Sequence, residues 1–279
     1  MNTLLSDLSN IVDQKRFVGV SDATLKVLLK ERLQDYVLGF IYNHKEYGKL
    51  VFYGGTCLRK LFGLNRLSED LDFENVESID LSAFEVDLKD FFRIRYDLDN
   101  VTTTVQGLGN IYRVTIKFPI LFDLGLSPFE SENLHIKVEI NQQITGKYIT
   151  EMSPYVSGNS STFVKHYPLD VLMAGKISAA LDRVYEKGKT GITVKGRDYY
   201  DLVWYMQKQI VPNLHKLLDV NARYSLDNVF DLLDSKVNKI KPADLYIDLE
   251  PYFEEKQFIK DWCDNFHDLY KRYRKTYTP

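Results

Sequence analysis

Apolar residues recur at helical spacing in several parts of the chain. Over residues 21–44 they fall every three or four positions behind the candidate cap Ser21, which predicts a long helix. The same spacing predicts a second helix over residues 169–184, and another helix is predicted to open at Asp198. From about Asn213 onward the pattern is also helical, so the second half of the chain is predicted to be mainly α-helical.

Strand patterns lie in the first 160 residues. The apolar run 50–53 stops at a Gly-Gly pair, as a buried strand entering a tight turn does, and a short helix over residues 56–62 is predicted next. Residues 70–73 alternate between polar and apolar side chains, and a helix over residues 80–93 follows. Three β-rich segments come next, over residues 101–105, 111–118 and 134–141.

These patterns predict an α+β protein in two parts. Residues 1–160 form an α/β core with a mixed β-sheet, and residues 161–279 form a mainly α-helical C-terminal domain. A chain of 279 residues is long enough for one or two such domains.

Composition and charge exclude several classes of protein. With 44 % hydrophobic and 27 % charged residues, the chain is unlike collagen, coiled coils and disordered proteins. A net charge of −3 gives no support to a tight nonspecific coat on DNA. Two cysteines are too few for a disulfide framework, and neither a secretory signal nor a membrane span is recognisable, so we expect a cytoplasmic protein with no membrane partner.

Two aspartates are spaced for metal chemistry. Asp70 and Asp72 are two residues apart on a predicted strand, so both carboxylates leave the same face. Adjacent carboxylates repel each other unless a cation neutralises them, and Mg²⁺, or Mn²⁺ in its place, suits oxygen ligands. Glu139, on the polar face of another predicted strand, supplies a third acid. Three carboxylates on adjacent strands suit phosphoryl transfer with one or two metal ions.

A glycine turn precedes these acids. Gly54 and Gly55 let the backbone approach a ligand closely, and the helix that begins at Thr56 has free N–H groups that favour a phosphate. Taken alone, an Asp-x-Asp pair is usually a solvated strand face, and a Gly-Gly pair is usually only a turn. Their order and spacing together favour a nucleotide site, with a metal ion on the acids and a triphosphate against the turn.

The same residues resemble a known family. G-G-T at residues 54–56, thirteen further residues and D-L-D-F at residues 70–73 resemble the signature of DNA polymerase β-like nucleotidyltransferases. Within that superfamily, G-G-T-x-L-R followed by R-L-S-E-D-L-D-F resembles the AbiEii/AbiGii toxin family. Lys176 and the R-D-Y-Y-D-L segment at residues 197–202 resemble the later motifs of that family.

The resemblance implies an activity and its partners. These proteins are the toxins of bacterial toxin–antitoxin and phage-abortive systems. They transfer a nucleoside monophosphate from an NTP to an acceptor, which in several members is the 3′ end of tRNA. The resemblance therefore implies a polymerase β-like core with a mixed sheet, a divalent metal ion, an NTP substrate, an RNA acceptor and a cognate antitoxin.

The resemblance also assigns roles by position. The implied metal ligands are Asp70, Asp72 and Glu139, of which Glu139 rests on strand alternation as much as on resemblance. The implied nucleotide contacts are Thr56, Ser68 and Lys176, to which the residues of the turn add Gly54 and Gly55 and the sequence adds Arg66 as a candidate. The implied catalytic residues are Asp70, Asp72, Glu139, Lys176 and Asp198, of which the last two come from the C-terminal domain.

Several of these residues have alternative interpretations. Lys176 lies within the apolar stripe of its helix. Its aliphatic stem could pack there while the ammonium reaches solvent, or the ammonium could bind a phosphate or pair with Asp198. Asp198 could equally be a helix N-cap, and Asp201 is expected to be structural or orienting. Either Glu139 or Asp198 could take the proton of the acceptor. Arg66 could reach a phosphate or pair with a neighbouring acid.

Alternatives also stand at the level of function. The chain could transfer nucleotides to a protein or to a small molecule, or it could be a degenerate, non-enzymatic binding module. The basic and aromatic C-terminal end, residues 270–277, suits RNA phosphates and bases but also an ordinary terminal helix.

Overall fold

The computed structural model describes residues 3–143, 146–158, 160–183, 186 and 193–277. The chain divides into two compact units. The first comprises Met1–Ile144 and Thr150–His166, and the second comprises Thr145–Ile149 and Tyr167–Pro279.

A single mixed sheet organises the first unit. Within the described residues, its seven strands are β1 (Val51–Tyr53), β2 (Asp70–Glu74), β3 (Thr102–Leu108), β4 (Ile111–Phe118), β5 (Leu134–Asn141), β6 (Glu151–Ser157) and β7 (Ser160–His166). They lie in the order β3-β4-β5-β2-β1-β7-β6. Strand β2 pairs antiparallel with β1 and parallel with β5, so it lies near the middle of the sheet.

Four α-helices accompany this sheet in the described part of the first unit. They are α1 (Thr3–Phe17), α2 (Asp22–Asn43), α3 (Gly54–Phe62) and α4 (Phe84–Tyr96). Helix α2 begins where predicted, because the Ser21 hydroxyl accepts the N–H of Thr24 as an N-cap. Helix α4 begins later than the predicted residue 80, because the Asp80 carboxylate accepts both the N–H and the hydroxyl of Ser82 and holds this segment in a turn.

The two faces of the sheet differ in polarity. In β5, burial alternates as predicted, with Leu134, Ile136, Val138 and Ile140 buried. Phe52 of β1 and Phe73 of β2 stack on the same side with ring centroids 5.1 Å apart. The opposite face carries the polar side chains of β2 and β5, and this polar face holds the three predicted carboxylates.

The β6–β7 hairpin was not predicted, because its sequence includes a polar stretch that lacks the alternation of a strand. The side chains of Tyr155 and Ser157 hydrogen-bond the carboxylate of Asp35 on α2. These polar groups are therefore satisfied inside the unit and stabilise a strand that local hydropathy does not indicate.

The second unit is helical, as predicted. Its described helices are α5 (Leu169–Asp182), α6 (Gly196–Gln207), α7 (Leu214–Val220), α8 (Leu226–Val237), α9 (Pro242–Leu249), α10 (Lys256–Asp264) and α11 (Phe266–Thr276). Cys263 of α10 is a buried free thiol, and burial raises its pKa to about 12. Among the described residues, no helix has the length and apolar character to span a membrane.

Candidate functional site

The glycine turn brings the backbone against an acid of β2. Gly54, the first residue of α3, has φ +81°, a conformation that favours glycine. A Cβ atom at this position would overlap the carboxylate of Asp72. Tyr53 and Asp72 are cross-strand neighbours in β1 and β2, so the sheet register delivers the carboxylate to the turn. Only glycine permits this approach.

The second glycine faces two polar side chains. A Cβ atom on Gly55 would lie 2.6 Å from Nη2 of Arg66 and 3.2 Å from the hydroxyl of Ser68. Both side chains are buried, and Nη1 of Arg66 donates to the carbonyl of Leu67 at 3.0 Å. The start of α3 therefore gathers a cation, a hydroxyl and helix N–H groups without helical partners, which is a suitable environment for phosphate.

Thr56 is placed differently from the other residues of the turn. Its side chain is fully buried, and its hydroxyl donates to the backbone carbonyl of Asp70 at 2.5 Å. This bond ties α3 to the first residue of β2. Thr56 thereby positions Asp70, and its hydroxyl hydrogen is already used in this bond.

The three predicted carboxylates lie on one face of the sheet. Asp70 and Asp72 are both on the polar face of β2, and Glu139 is the register partner of Asp72 in β5. All three residues are half-buried. Period-2 alternation within each strand and the parallel register between strands together account for this arrangement.

Glu139 has a cation of its own. Nε and Nη2 of Arg113, its cross-strand neighbour in β4, lie 2.8 and 2.7 Å from Oε1 of Glu139. Among the described residues, no three histidine, cysteine or acidic side chains are arranged to hold a metal ion. Arg113 had no sequence signal of its own, because its contact depends on the register of β4 against β5.

Cys57 follows the turn and is fully buried. Burial, and then the nearby charge of Asp72, raise the pKa of its thiol well above the ordinary value. The thiol is therefore protonated at neutral pH, as the interpretation of Cys57 as a small core residue requires.

Replacing Gly54 by Ala tests the turn. We expect the free energy of unfolding to fall by about 1–2 kcal/mol for the left-handed backbone alone, and the overlap with Asp72 to displace that carboxylate. The thermal shift produced by Mg²⁺ and NTP is expected to disappear. Gly107→Ala is the matched control, because Gly107 lies in β3 with open space at its Cβ. If both variants respond alike to Mg²⁺ and NTP, the turn has no special role.

The second unit contains a separate buried ion network. Nζ of Lys176 on α5 lies 2.8 Å from Asp198 and 2.9 Å from Asp201, both on α6. The two carboxylates are almost completely buried, at 2 % and 0 % exposure. Lys176 is therefore partnered within its apolar stripe, and Asp201 is one of its two partners.

Cations surround Asp198. Burial raises the pKa of this carboxyl, but attraction by Lys176 and Arg183 outweighs burial and lowers the pKa to about 2. The N-cap of α6 is Lys195, so Asp198 lies inside the helix and is not its cap. Burial and repulsion from Arg197 lower the pKa of Lys195 to about 8, against the attraction of Asp198.

Arg183 and Lys195 are members of this network that sequence reasoning did not identify. Arg183 is seven residues after Lys176, a spacing that returns to the same helix face, so a signal for it was present. Lys195 had none, because its burial depends on the packing of the residues around the start of α6.

Two tyrosines of the basic C-terminal end are turned inward, whereas Lys271, Arg272 and Lys275 are exposed. The hydroxyls of Tyr270 and Tyr277 donate to Asp234 and to the carbonyl of Ile210, and both rings are buried. Arg274 pairs with Asp234 at 3.4 Å. These contacts favour the interpretation of this segment as an ordinary terminal helix.

Comparisons with known proteins identify the family of this chain and proteins of similar fold. The sequence model of the nucleotidyl transferase AbiEii toxins of type IV toxin–antitoxin systems matches residues 40–279. Two Helicobacter pylori crystal structures are similar in fold, one of JHP933 and one of a candidate nucleotidyltransferase. Each is 16 % identical with a TM-score of 0.53, and each alignment covers 90 % of this chain and 92 % or 95 % of the other. No curated protein matches. The predicted α+β nucleotidyltransferase fold with a helical C-terminal part is confirmed.

Proposed function

The chain belongs to the AbiEii nucleotidyltransferase toxin family, and from this premise we propose that it transfers a nucleoside monophosphate from an NTP to the 3′ end of tRNA with a divalent metal ion at Asp70 and Asp72. One observation carries the proposal. The Asp72 carboxylate occupies the space that a side chain on Gly54 would fill, so an acid and a helix N-terminus share one small region.

The donor set at this region fits a magnesium ion. Two half-buried carboxylates on one strand face offer oxygen ligands, and Mg²⁺ commonly takes one or two carboxylates together with substrate phosphates and water. A ready-made group of three acids is therefore not required. When bound, such an ion neutralises charge on the phosphates and orients them for in-line displacement. Arg113 contacts Oε1 of Glu139, so Glu139 would join the ion through its second oxygen.

The residues of the turn are assigned to the triphosphate. The N–H groups at Gly54 and Gly55, the Ser68 hydroxyl and the Arg66 guanidinium bind phosphate oxygens. Thr56 acts indirectly, since its hydroxyl holds the backbone of Asp70. We also assign Lys176 to the triphosphate, with its ammonium held in place by Asp198 and Asp201.

The acceptor hydroxyl must lose a proton as it attacks the α-phosphate and pyrophosphate leaves. Asp198 is a weak base, because its carboxyl has a pKa of about 2 and is paired with cations. Glu139 lies on the sheet face of Asp70, and both contacts from Arg113 go to its Oε1. We assign proton removal to the other oxygen of Glu139 and the orientation of Lys176 to Asp198. The family also implies an antitoxin partner, and our proposal includes a cytoplasmic location and a role in phage defence.

Labelling with each of the four α-³²P-labelled NTPs tests the acceptor. The protein is incubated with Mg²⁺, purified tRNA and total cell protein, and we expect label in tRNA with a preferred NTP. Periodate oxidation of the tRNA 3′-terminal diol is expected to abolish labelling. Label in protein or in a small molecule would contradict the tRNA acceptor. Absence of both label and a thermal shift with Mg²⁺ and NTP would favour a binding module.

A further inference from the structure

Three basic side chains lie on the polar face of the sheet beside the carboxylates. Lys117 of β4 is the cross-strand neighbour of His135 of β5, and Lys137 of β5 is the register partner of Asp70. Register partners project from the same face, so Lys117, His135 and Lys137 form one strip next to Asp70, which we call the basic strip.

The basic strip has no evident task in holding the fold. His135 and Lys137 are exposed and Lys117 is half-buried. In the part of the chain that the structure describes, none of the three side chains makes a hydrogen bond or an ion pair. Two lysines of α2 behave differently, because Lys26 and Lys30 are paired with Glu132 and Glu69 at 2.6 Å.

Positive charge is concentrated at this strip. Burial lowers the pKa of His135. Repulsion by three nearby lysines, Lys117, Lys30 and Lys137, lowers this pKa further. Because its pKa is lowered, His135 is mostly neutral at pH 7 and the charge of the strip comes from Lys117 and Lys137. A polyanion that binds these two ammonium groups also releases its own counterions. The surface therefore has the charge complementary to a phosphate backbone.

The position of the strip separates it from the triphosphate. The glycine turn adjoins β2 on its β1 side, whereas the strip lies on the β5 and β4 side of β2. With strands about 4.8 Å apart, Lys137 is one strand and Lys117 two strands away from Asp70. The carboxylates thus have a phosphate-binding turn on one side and a second cationic surface on the other.

We propose that Lys117, His135 and Lys137 bind the phosphate backbone of the acceptor RNA near its 3′ end. The inference rests on the proposed nucleotidyl transfer to RNA and adds the surface that receives the acceptor. Lysine–phosphate contacts position a strand without reading its sequence. Such contacts set the acceptor hydroxyl beside Asp70 on the side opposite the NTP.

The test compares two double variants that each remove two positive charges. Lys117→Gln with Lys137→Gln neutralises the strip. Lys45→Gln with Lys89→Gln is the matched control, because both lysines are exposed, Lys45 in the turn after α2 and Lys89 on α4. Helix α4 packs on the other face of the sheet, where Phe92 contacts Phe118 with centroids 5.0 Å apart.

Binding of fluorescent tRNA is measured by anisotropy over a range of KCl concentrations, separately from transfer. We expect the strip variant to bind at least tenfold more weakly, and the slope of log K against log salt to fall by about 1.4–1.8 for two lost phosphate contacts. The control variant is expected to bind tRNA as wild type does. Both variants are expected to keep the wild-type thermal shift with Mg²⁺ and NTP.

The outcomes separate the strip from the proposed function. If the strip variant binds RNA as the control does, if wild type binds no RNA, or if only the NTP-induced shift is lost, the inference is overturned. If wild type binds tRNA through the strip but does not label it, the surface is supported and the proposed tRNA transfer fails. If the strip variant labels tRNA at wild-type KM, the transfer holds and the surface fails.

Discussion

Asp70→Asn is expected to reduce the rate of nucleotide transfer by about a thousandfold or more. A bound metal ion contributes several kcal/mol to transition-state stabilisation, and each loss of about 1.4 kcal/mol slows the reaction about tenfold. Asn has almost the same shape as Asp, and the bond from Thr56 goes to the backbone of residue 70, so the fold is expected to persist. The initial rate of label transfer to tRNA and a circular-dichroism melt measure the two effects.

Asp123→Asn is the control for this change, because Asp123 is an exposed acid of the same unit. It is expected to keep wild-type transfer. Asp70 gives a cleaner test than Asp72, whose carboxylate also lies against Gly54. Transfer by Asp70→Asn within tenfold of wild type would exclude the proposed metal site.

Lys176→Met is expected to destabilise the protein by about 3–5 kcal/mol, the cost of removing one partner from a buried ion pair. Met keeps most of the stem volume, so the loss comes from Asp198 and Asp201, which remain buried without their ammonium partner. Urea denaturation monitored by circular dichroism measures the change in the free energy of unfolding.

Lys260→Met provides the comparison, because the Lys260–Asp264 pair is about half-exposed, and exposed ion pairs contribute little to stability. Adding Asp201→Asn to Lys176→Met is expected to recover part of the lost stability, since one uncompensated charge is removed. If Lys176→Met is as stable as Lys260→Met, Lys176 does not stabilise the fold through its buried carboxylates. Phosphate binding would then remain as the role of this lysine.

The elements predicted correctly are those that local pattern determines. The Ser21 cap and the three-to-four spacing after it locate α2, and the alternation of β5 places Glu139 opposite its buried neighbours. The common face of Asp70 and Asp72 follows from the two-residue period of a strand alone. These features need no knowledge of distant parts of the chain.

Contacts between distant residues were not predictable in the same way. The register of β4 against β5 gives Glu139 its partner Arg113, and the packing of α3 on β2 directs the Thr56 hydroxyl to Asp70. The β6–β7 hairpin is satisfied by Asp35, more than a hundred residues earlier. Each of these depends on pairing between elements, which residue spacing within one element does not encode.

The two buried thiols give each unit its own chemical reporter. Cys57 lies in the first unit and Cys263 in the second, and alkylating reagents attack only an accessible thiolate. Modification of either one therefore requires local opening of the helix that contains it. The relative rates of alkylation at the two positions, read by mass spectrometry of peptides, would rank the opening of the sheet unit against that of the helical unit, without any engineered label.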